Sequence, residues 1–220
     1  MNWLAGFFGD PAHWSGPDGI PVRLLEHLEF AAAAFLVAAL IAVPLGLLIG
    51  HTGRGALLVV VAANAARALP TLGLLVLVVL LAGVGTVLPV LIPLIVLAVP
   101  PILVNTYEGV RGVDADLRDA AYGMGLRGRQ VLFQTLTPVA LPLILLGLRL
   151  AAIQVVSTAT VAAFVGLGGL GRFIIDGLAT KTYADVVGGA VLVAALALAV
   201  QLGFVLLDRV AVSPGVRQVR

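Results

Sequence analysis

Long stretches without a charged side chain dominate this sequence and predict membrane-spanning helices. A helix needs about 20 predominantly apolar residues to cross the hydrocarbon core of a bilayer. Four uncharged stretches reach this length, and a turn at Gly83–Thr86 divides one of them into two helices. The pattern therefore predicts an all-α integral membrane protein with about five transmembrane helices. The four stretches are Phe30–Gly53, Ala68–Tyr107, Leu150–Gly171 and Val186–Leu207.

Two other uncharged stretches leave the span boundaries open. We interpret Gly55–Ala66 as an early start of the second helix, which then carries Asn64 on its first turns. We interpret Gln130–Leu148 as a surface segment that rises into the fourth span, because Pro138 and Pro142 interrupt it. A six-span topology, in which this segment crosses the membrane itself, is the alternative.

The distribution of basic residues predicts the orientation, since Lys and Arg collect in cytoplasmic loops. With five spans, one side receives eight of the 13 basic residues and the other side three, while Arg67 and Arg149 lie at span edges. The N terminus is then outside and the C terminus cytoplasmic. The larger group is Arg54, Arg111, Arg118, Arg127, Arg129, Arg209, Arg217 and Arg220, and the smaller is Arg23, Arg172 and Lys181.

Composition supports the membrane assignment and excludes several classes of protein. Of the 220 residues, 61% are hydrophobic and only 11% are charged, whereas about 25% of a soluble domain is charged. A net charge of +2 offers no broad cationic surface for nucleic acid. The chain has no cysteine, which excludes a thiolate metal site. The three histidines, His13, His27 and His51, are too far apart in sequence to suggest a metal site, so we expect these histidines at surfaces or interfaces.

The most polar segment, Glu108–Gln134, is longer than a connection between two helices requires. It contains four of the 11 acidic and four of the 13 basic residues. Asp114, Asp116 and Asp119 lie near the start of a predicted short helix, where carboxylates suit the positive end of the helix dipole. We therefore expect a partner to dock on this segment.

A spaced motif within this segment resembles a known family. Asp119-Ala120-Ala121 is followed by Gly125 after three residues and by Pro138 after a further twelve. This pattern is similar to the cytoplasmic EAA loop of binding-protein-dependent ABC importer permeases, with Asp119 in place of the usual Glu. Thr135 and Thr137 also stand where the family pattern prefers aliphatic residues.

Further sequence runs narrow the resemblance to the osmoprotectant branch, which imports glycine betaine, choline or carnitine. Methionine and other small-solute permeases share much of this pattern, so a permease for methionine or another amino acid is the alternative. The runs are Trp14–Pro21, Asn105–Asp114, Gly123–Gly125, Ala140–Pro142, Gln154-Val155 and Val165–Ile174.

The resemblance implies a type I ABC importer permease fold, a single transmembrane domain over residues 1–220 and a bacterial cell-membrane location. The loop at about 108–138 would form a coupling helix in which Asp119, Ala120, Ala121, Gly125 and Arg127 contact an ATPase. The partners would be a pair of ATPase subunits, an extracellular solute-binding protein, a second copy or a related permease, and lipid. ATP and Mg²⁺ would bind to the ATPase alone.

The sequence offers little support for an enzyme. Two segments, Gly123–Gly128 and Gly166–Gly171, match the dinucleotide-binding motif Gly-x-Gly-x-x-Gly, but neither lies in a predicted βαβ unit. Ser157 has no nucleophile elbow and no histidine within local reach, which argues against a catalytic triad. A non-transport membrane enzyme or scaffold is therefore a distant alternative to a transport subunit.

Polar residues inside the predicted spans are candidates for the translocation pathway, because a polar group without a hydrogen-bond partner is energetically costly in lipid. Gln154, Ser157 and Thr158 share one helix face at i, i+3 and i+4. The serine and threonine hydroxyls could equally bond to backbone carbonyls one turn earlier. Asn64 is a further candidate at the cytoplasmic mouth, and Gly46 and Gly50 permit close helix packing, either within the chain or between two chains.

Overall fold

A computed structural model of the protein describes residues 3–57, 59, 61, 64, 68, 70–83 and 86–212. Every regular element of this part of the chain is helical. Arg67, Val84, Gly85, Arg217 and Arg220 lie outside the described residues. The main helices are α1 (Trp3–Gly9), α2 (Ile20–Thr52), α3 (Thr71–Ala82), α4 (Leu88–Arg111), α5 (Ala115–Gly123), α6 (Thr137–Thr158), α7 (Gly171–Thr180) and α8 (Tyr183–Ala211).

Shorter helical turns connect these helices. A 3-10 turn at Pro11–Trp14 follows α1, and a second one at Ala159–Val165 extends the end of α6. A helical turn at Gly128–Gln130 and a π-helical turn at Val131–Leu136 lead directly into α6. Because these last elements are continuous, Gly128–Val165 forms one long helical segment.

By length and apolar composition, four helical segments within the described residues qualify as membrane spans. They are α2, α4, the continuous segment Gly128–Val165 and α8, and the shorter α3 is also apolar. The predicted break near Gly83 is confirmed, because Gly83 ends α3 with φ +80° and its N–H donates to the Val79 carbonyl over 2.8 Å. The final predicted span is confirmed as well, since α8 contains it.

The first span begins ten residues before the predicted Phe30, because α2 starts at Ile20. The acidic residues Glu26 and Glu29 lie inside this helix. The Glu26 carboxylate accepts hydrogen bonds from Arg23 Nη1 (2.9 Å) and from the Gly169 N–H (2.8 Å). The expectation of a surface or interface position for His27 was wrong. Its side chain is fully buried, and its Nε2 lies 2.9 Å from the Val156 carbonyl oxygen.

The predicted fourth span, Leu150–Gly171, was placed too late in the sequence. The helix α6 runs from Thr137 to Thr158, and the whole of Gln130–Leu148 lies within the helical segment Gly128–Val165 that qualifies as a span. Pro138 lies in the first turn of α6, directly after the π-helical turn, which accommodates the irregular backbone. Arg149, which marked the predicted boundary, is a half-buried residue within α6.

The chain divides into two compact units, each assembled from three stretches. The first unit comprises Met1–Leu36, Leu69–Val96 and Ala152–Val200, and the second comprises Val37–Ala68, Leu97–Ala151 and Gln201–Arg220.

The first unit buries part of the N-terminal segment. Phe7 on α1 is fully buried, stacks on the His13 ring with a centroid distance of 4.3 Å and meets the Phe173 ring edge-on at 5.3 Å. His13 Nε2 lies 3.2 Å from Asp185 Oδ1. The buried Phe7 ring therefore anchors the short helix α1 within the first unit.

The second unit is built around one apolar cluster that joins α2, α4, α5, the π-helical turn and α6. Ala121 of α5 is 1% exposed within it, and the half-buried Leu126 packs against its edge. The cluster attaches the short polar helix α5 to the ends of much longer apolar helices. Its buried members are Leu47, Val110, Val113, Ala121, Val131, Leu132, Leu136, Ala140 and Ile144.

Candidate functional site

The predicted coupling segment forms a discrete helix, α5, with an ordered start. Asp114 caps it, because its Oδ1 accepts a hydrogen bond from the Asp116 N–H over 2.7 Å. Asp116 lies in the first turn, where its negative charge suits the positive end of the helix dipole. The predicted helix is present, and Asp114 and Asp116 lie at its N-terminal end as predicted, whereas Asp119 lies in the middle of the helix.

The residues of the Asp119-Ala120-Ala121 motif divide between the two faces of α5. Asp119 and Ala120 are exposed, whereas Ala121 is buried in the apolar cluster of the second unit. A small residue suits the Ala121 position, because added volume in a packed site typically costs about 1–3 kcal/mol. Asp119 and Ala120 therefore face outward on a helix that Ala121 holds in place.

Large apolar side chains are exposed around the same helix. Met124 has 76% of its surface exposed, and Leu117, Tyr122 and Phe133 are each about half exposed. Such side chains next to a carboxylate form the mixed apolar and charged surface typical of a docking site.

Gly125 determines how α5 ends. Its φ of +83° is left-handed, a conformation that glycine adopts without steric cost. The Gly125 N–H donates to the Tyr122 carbonyl over 2.9 Å, and the Leu126 N–H donates to the Ala121 carbonyl over 3.3 Å. This pair of bonds is a Schellman motif, in which Gly125 reverses the chain and Leu126 returns to the apolar cluster.

Arg127 follows this turn and begins the next helical segment. Its backbone N–H donates to the Gln130 side-chain oxygen over 2.8 Å, and its side chain is exposed. Among the predicted coupling residues, Asp119, Ala120, Gly125 and Arg127 are thus exposed on one continuous stretch of chain.

The predicted pathway residues lie near the end of α6. Gln154 and Ser157 are exposed one turn apart, and Thr158 is half-buried beside them. The hydroxyl of Thr160 donates to the Ser157 carbonyl over 2.9 Å. Asn64 is helical and exposed.

Glu26 forms a long-range contact that the sequence reasoning missed. It holds the glycine-rich run Gly166–Gly171 through the Gly169 N–H. A Cβ at Gly168 would lie 1.9 Å from Glu26 Oε2, so this position requires glycine while Glu26 keeps its place. The signal in the sequence was the glycine run, which had no nucleotide-binding context.

Comparisons with known proteins give matches over most of the chain. The family described as binding-protein-dependent transport system inner membrane component matches residues 42–217. The carnitine transport permease protein OpuCB of Listeria monocytogenes is 33% identical over 220 residues, covering 100% of this chain and 98% of the relative. The glycine betaine/carnitine/choline transport system permease protein OpuCB of Bacillus subtilis is 35% identical over 184 residues, 84% of each chain.

A solved structure supports the fold. The MetNI methionine ABC transporter in inward-facing conformations contains a chain that matches with a TM-score of 0.74 and 22% identity, over 87% of this chain and 95% of that one. At this identity the likeness shows the fold alone, and it confirms the predicted type I ABC importer permease fold.

Proposed function

This chain belongs to the family of binding-protein-dependent transport system inner membrane components, and from that premise we propose that its cargo is glycine betaine, choline or carnitine. Membership makes the chain an inner-membrane transport subunit and not an enzyme. ATP hydrolysis belongs to a separate ATPase subunit, and a solute-binding protein is the other partner of the system.

The observation that carries the cargo proposal is the likeness to osmoprotectant permeases over the whole chain. A relative named for carnitine transport is 33% identical over 100% of this chain. The likeness to the methionine transporter has 22% identity and supports a common fold without supporting a common cargo. A quaternary ammonium is therefore favoured over an amino acid.

Cargo specificity would reside mainly in the binding protein. Quaternary ammonium groups are usually recognised by cages of aromatic side chains, and aromatic residues make up only 6% of this chain. A weakly selective pathway suffices when the binding protein has already selected the solute. Gln154, Ser157, Thr158 and Asn64 are the residues we assign to that pathway.

We further propose that two permease subunits, either two copies of this chain or this chain with a related permease, assemble with two ATPase subunits. The exposed residues of α5 and the following turn, Asp119, Ala120, Gly125 and Arg127, would contact the ATPase, with Ala121 fixing the helix from behind. ATP and Mg²⁺ would bind to the ATPase only. Closure of the ATPase pair around ATP would then move α5 and switch access to the pathway from one side of the membrane to the other.

Uptake by reconstituted vesicles tests the proposed cargo. The permease, its ATPase and its binding protein would be assembled in proteoliposomes loaded with ATP and Mg²⁺, and supplied with labelled glycine betaine, choline, carnitine or methionine. We expect ATP-dependent uptake of at least one quaternary amine and none of methionine. Vesicles loaded with a non-hydrolysable ATP analogue are the control. Methionine uptake without uptake of any quaternary amine would overturn the cargo assignment.

A further inference from the structure

A cavity of about 360 Å³ opens in the second unit where three helices meet. The last turn of α2, the end of α4 and the start of α5 form its walls. Its lining residues include none of the proposed ATPase-contacting or pathway residues, although Ala115 and Arg118 belong to α5. Its lining residues are Gly50, His51, Thr52, Gly53, Arg111, Val113, Ala115 and Arg118.

The cavity has a positive lining. Arg111 and Arg118 are its charged residues, and no carboxylate lines it among the described residues. Arg118 Nη2 donates to the Val110 carbonyl over 3.2 Å, and the Arg111 guanidinium lies 5.9 Å from the Tyr107 ring centroid. Neither arginine forms a salt bridge within the described part of the chain.

The helix ends at the cavity do not cancel this charge. The C-terminal ends of α2 and α4 each contribute about half a negative charge. Together they amount to roughly one negative charge against the two positive charges of Arg111 and Arg118. The cavity therefore retains a net positive charge and favours an anion.

Two buried nitrogen atoms on the lining residues lack a partner. Arg118 Nε and His51 Nδ1 are both inaccessible to solvent, and neither forms a hydrogen bond among the described residues. A buried polar group left without a partner typically costs about 1–3 kcal/mol. Both nitrogen atoms belong to side chains that line the cavity, although the atoms themselves are inaccessible to solvent.

The position of the cavity along the chain points to the membrane boundary. Two candidate membrane spans, α2 and α4, end at its wall, at Thr52 and Arg111. Lipid head groups lie at the level where spans end. Basic pockets between transmembrane helices are sites at which anionic head groups bind.

We propose that this cavity binds the phosphate group of an anionic phospholipid. The Arg111 and Arg118 guanidiniums would donate to the phosphate oxygens, since Arg presents a planar fork of donors suited to phosphate. The acyl chains would lie along the apolar surface of α2 and α4. Free inorganic phosphate has the same chemistry at its oxygens but lacks the chains, so the test separates the two sources.

Native mass spectrometry of the complete transporter, purified in a non-ionic detergent, measures this binding. The assembly would be titrated with phosphatidylglycerol, phosphatidylcholine or inorganic phosphate. We expect phosphatidylglycerol to bind, and Arg111→Gln to weaken its Kd at least about tenfold, the effect of losing one charge-assisted pair. Arg118→Gln should act similarly, but Arg118 also caps α4, so Arg111→Gln is the primary variant.

Arg54→Gln is the matched control, because Arg54 is an exposed arginine two residues beyond α2 that does not line the cavity. Its lipid affinity should equal that of the unchanged protein. Three results would overturn the proposal: an equal loss in Arg54→Gln, unchanged phosphatidylglycerol binding in Arg111→Gln, or Arg111-dependent binding of inorganic phosphate without binding of the lipid.

Discussion

Gly125 connects one backbone angle to the proposed transport mechanism. Its φ of +83° is left-handed, and no atom lies within 4 Å of the position a Cβ would occupy. Crowding therefore plays no part in the requirement for glycine, which comes from the backbone angle alone. A residue with a Cβ is strained by about 1–3 kcal/mol in such a conformation. In a Gly125 variant this strain would destabilise the turn that ends α5.

We predict that Gly125→Asp inserts into the membrane normally but uncouples ATP hydrolysis from transport. The strain disfavours the native turn by a factor of about 5 to 150, and the added carboxylate lies at the negative end of the α5 dipole. The measurement is the number of solute molecules transported per ATP hydrolysed in proteoliposomes.

Gly123→Ala is the control for this prediction. Gly123 is the last residue of α5, is also exposed and also has free space around it, but its φ is not positive. Alanine favours the helix at this position by up to about 1 kcal/mol. Coupling should therefore be unchanged in Gly123→Ala, and normal coupling in Gly125→Asp would contradict the role assigned to this turn.

Single residues also mark what the sequence could and could not predict about the site. The spacing of Asp119, Gly125 and Pro138 is local, so it was sufficient to predict a helix and its terminating glycine. The burial of Ala121 depends on partners such as Leu47 and Leu136 that are distant in sequence, and no local pattern encodes them. The same holds for Glu26 and Gly169, which are 143 residues apart.

At the level of helices, two glycines set the packing of α2 against α4. A Cβ at Gly46 would lie 2.6 Å from Thr106 Cβ, and one at Gly50 would lie 2.8 Å from Val110 Cβ. Both distances are shorter than real Cβ contacts, so the helices approach each other at van der Waals contact. Of the two alternatives for this glycine pair, packing within the chain is the one observed, and the close contact holds α2 beside the end of α4.

We predict that Gly50→Ala lowers the thermal stability of the purified subunit in detergent. Overpacking a tight contact costs about 1–3 kcal/mol, which corresponds to a fall of several degrees in Tm for a chain of this size. Gly203→Ala in α8 is the control, because a Cβ there meets no atom within 4 Å. A Gly50→Ala variant as stable as Gly203→Ala would show that α2 and α4 separate at no cost.

The observed helix boundaries show why gaps between charged residues predict some span boundaries incorrectly. The turn at Gly83 was predictable because a left-handed glycine between two apolar runs acts locally. The position of α6 was not, since Arg149 lies inside the helix and lines a small cavity together with Asp208 of α8. Two opposite charges in one cavity lower the free-energy cost of burying each charged side chain. A search for uncharged stretches does not detect such a pair.

At the scale of the whole molecule, the asymmetric distribution of Lys and Arg predicts an orientation, with the N terminus outside and α5 in the cytoplasm. This orientation fixes the side on which the ATPase acts and the side on which the binding protein delivers solute. It also places the cavity at the ends of α2 and α4 on the cytoplasmic side. All three assignments depend on the direction in which α2 crosses the membrane.

Single cysteines on the two sides of α2 test that direction, and the chain is suited to it because it contains no cysteine of its own. Ala12 precedes α2 and Arg54 follows it, and both are exposed. A membrane-impermeant maleimide should label Ala12→Cys in intact cells and Arg54→Cys only after permeabilisation. The reverse pattern would invert the orientation, and labelling of both variants from outside would show that α2 does not cross. The expected pattern places Arg111 and Arg118 beside the cytoplasmic leaflet, where anionic lipids create a negative surface potential.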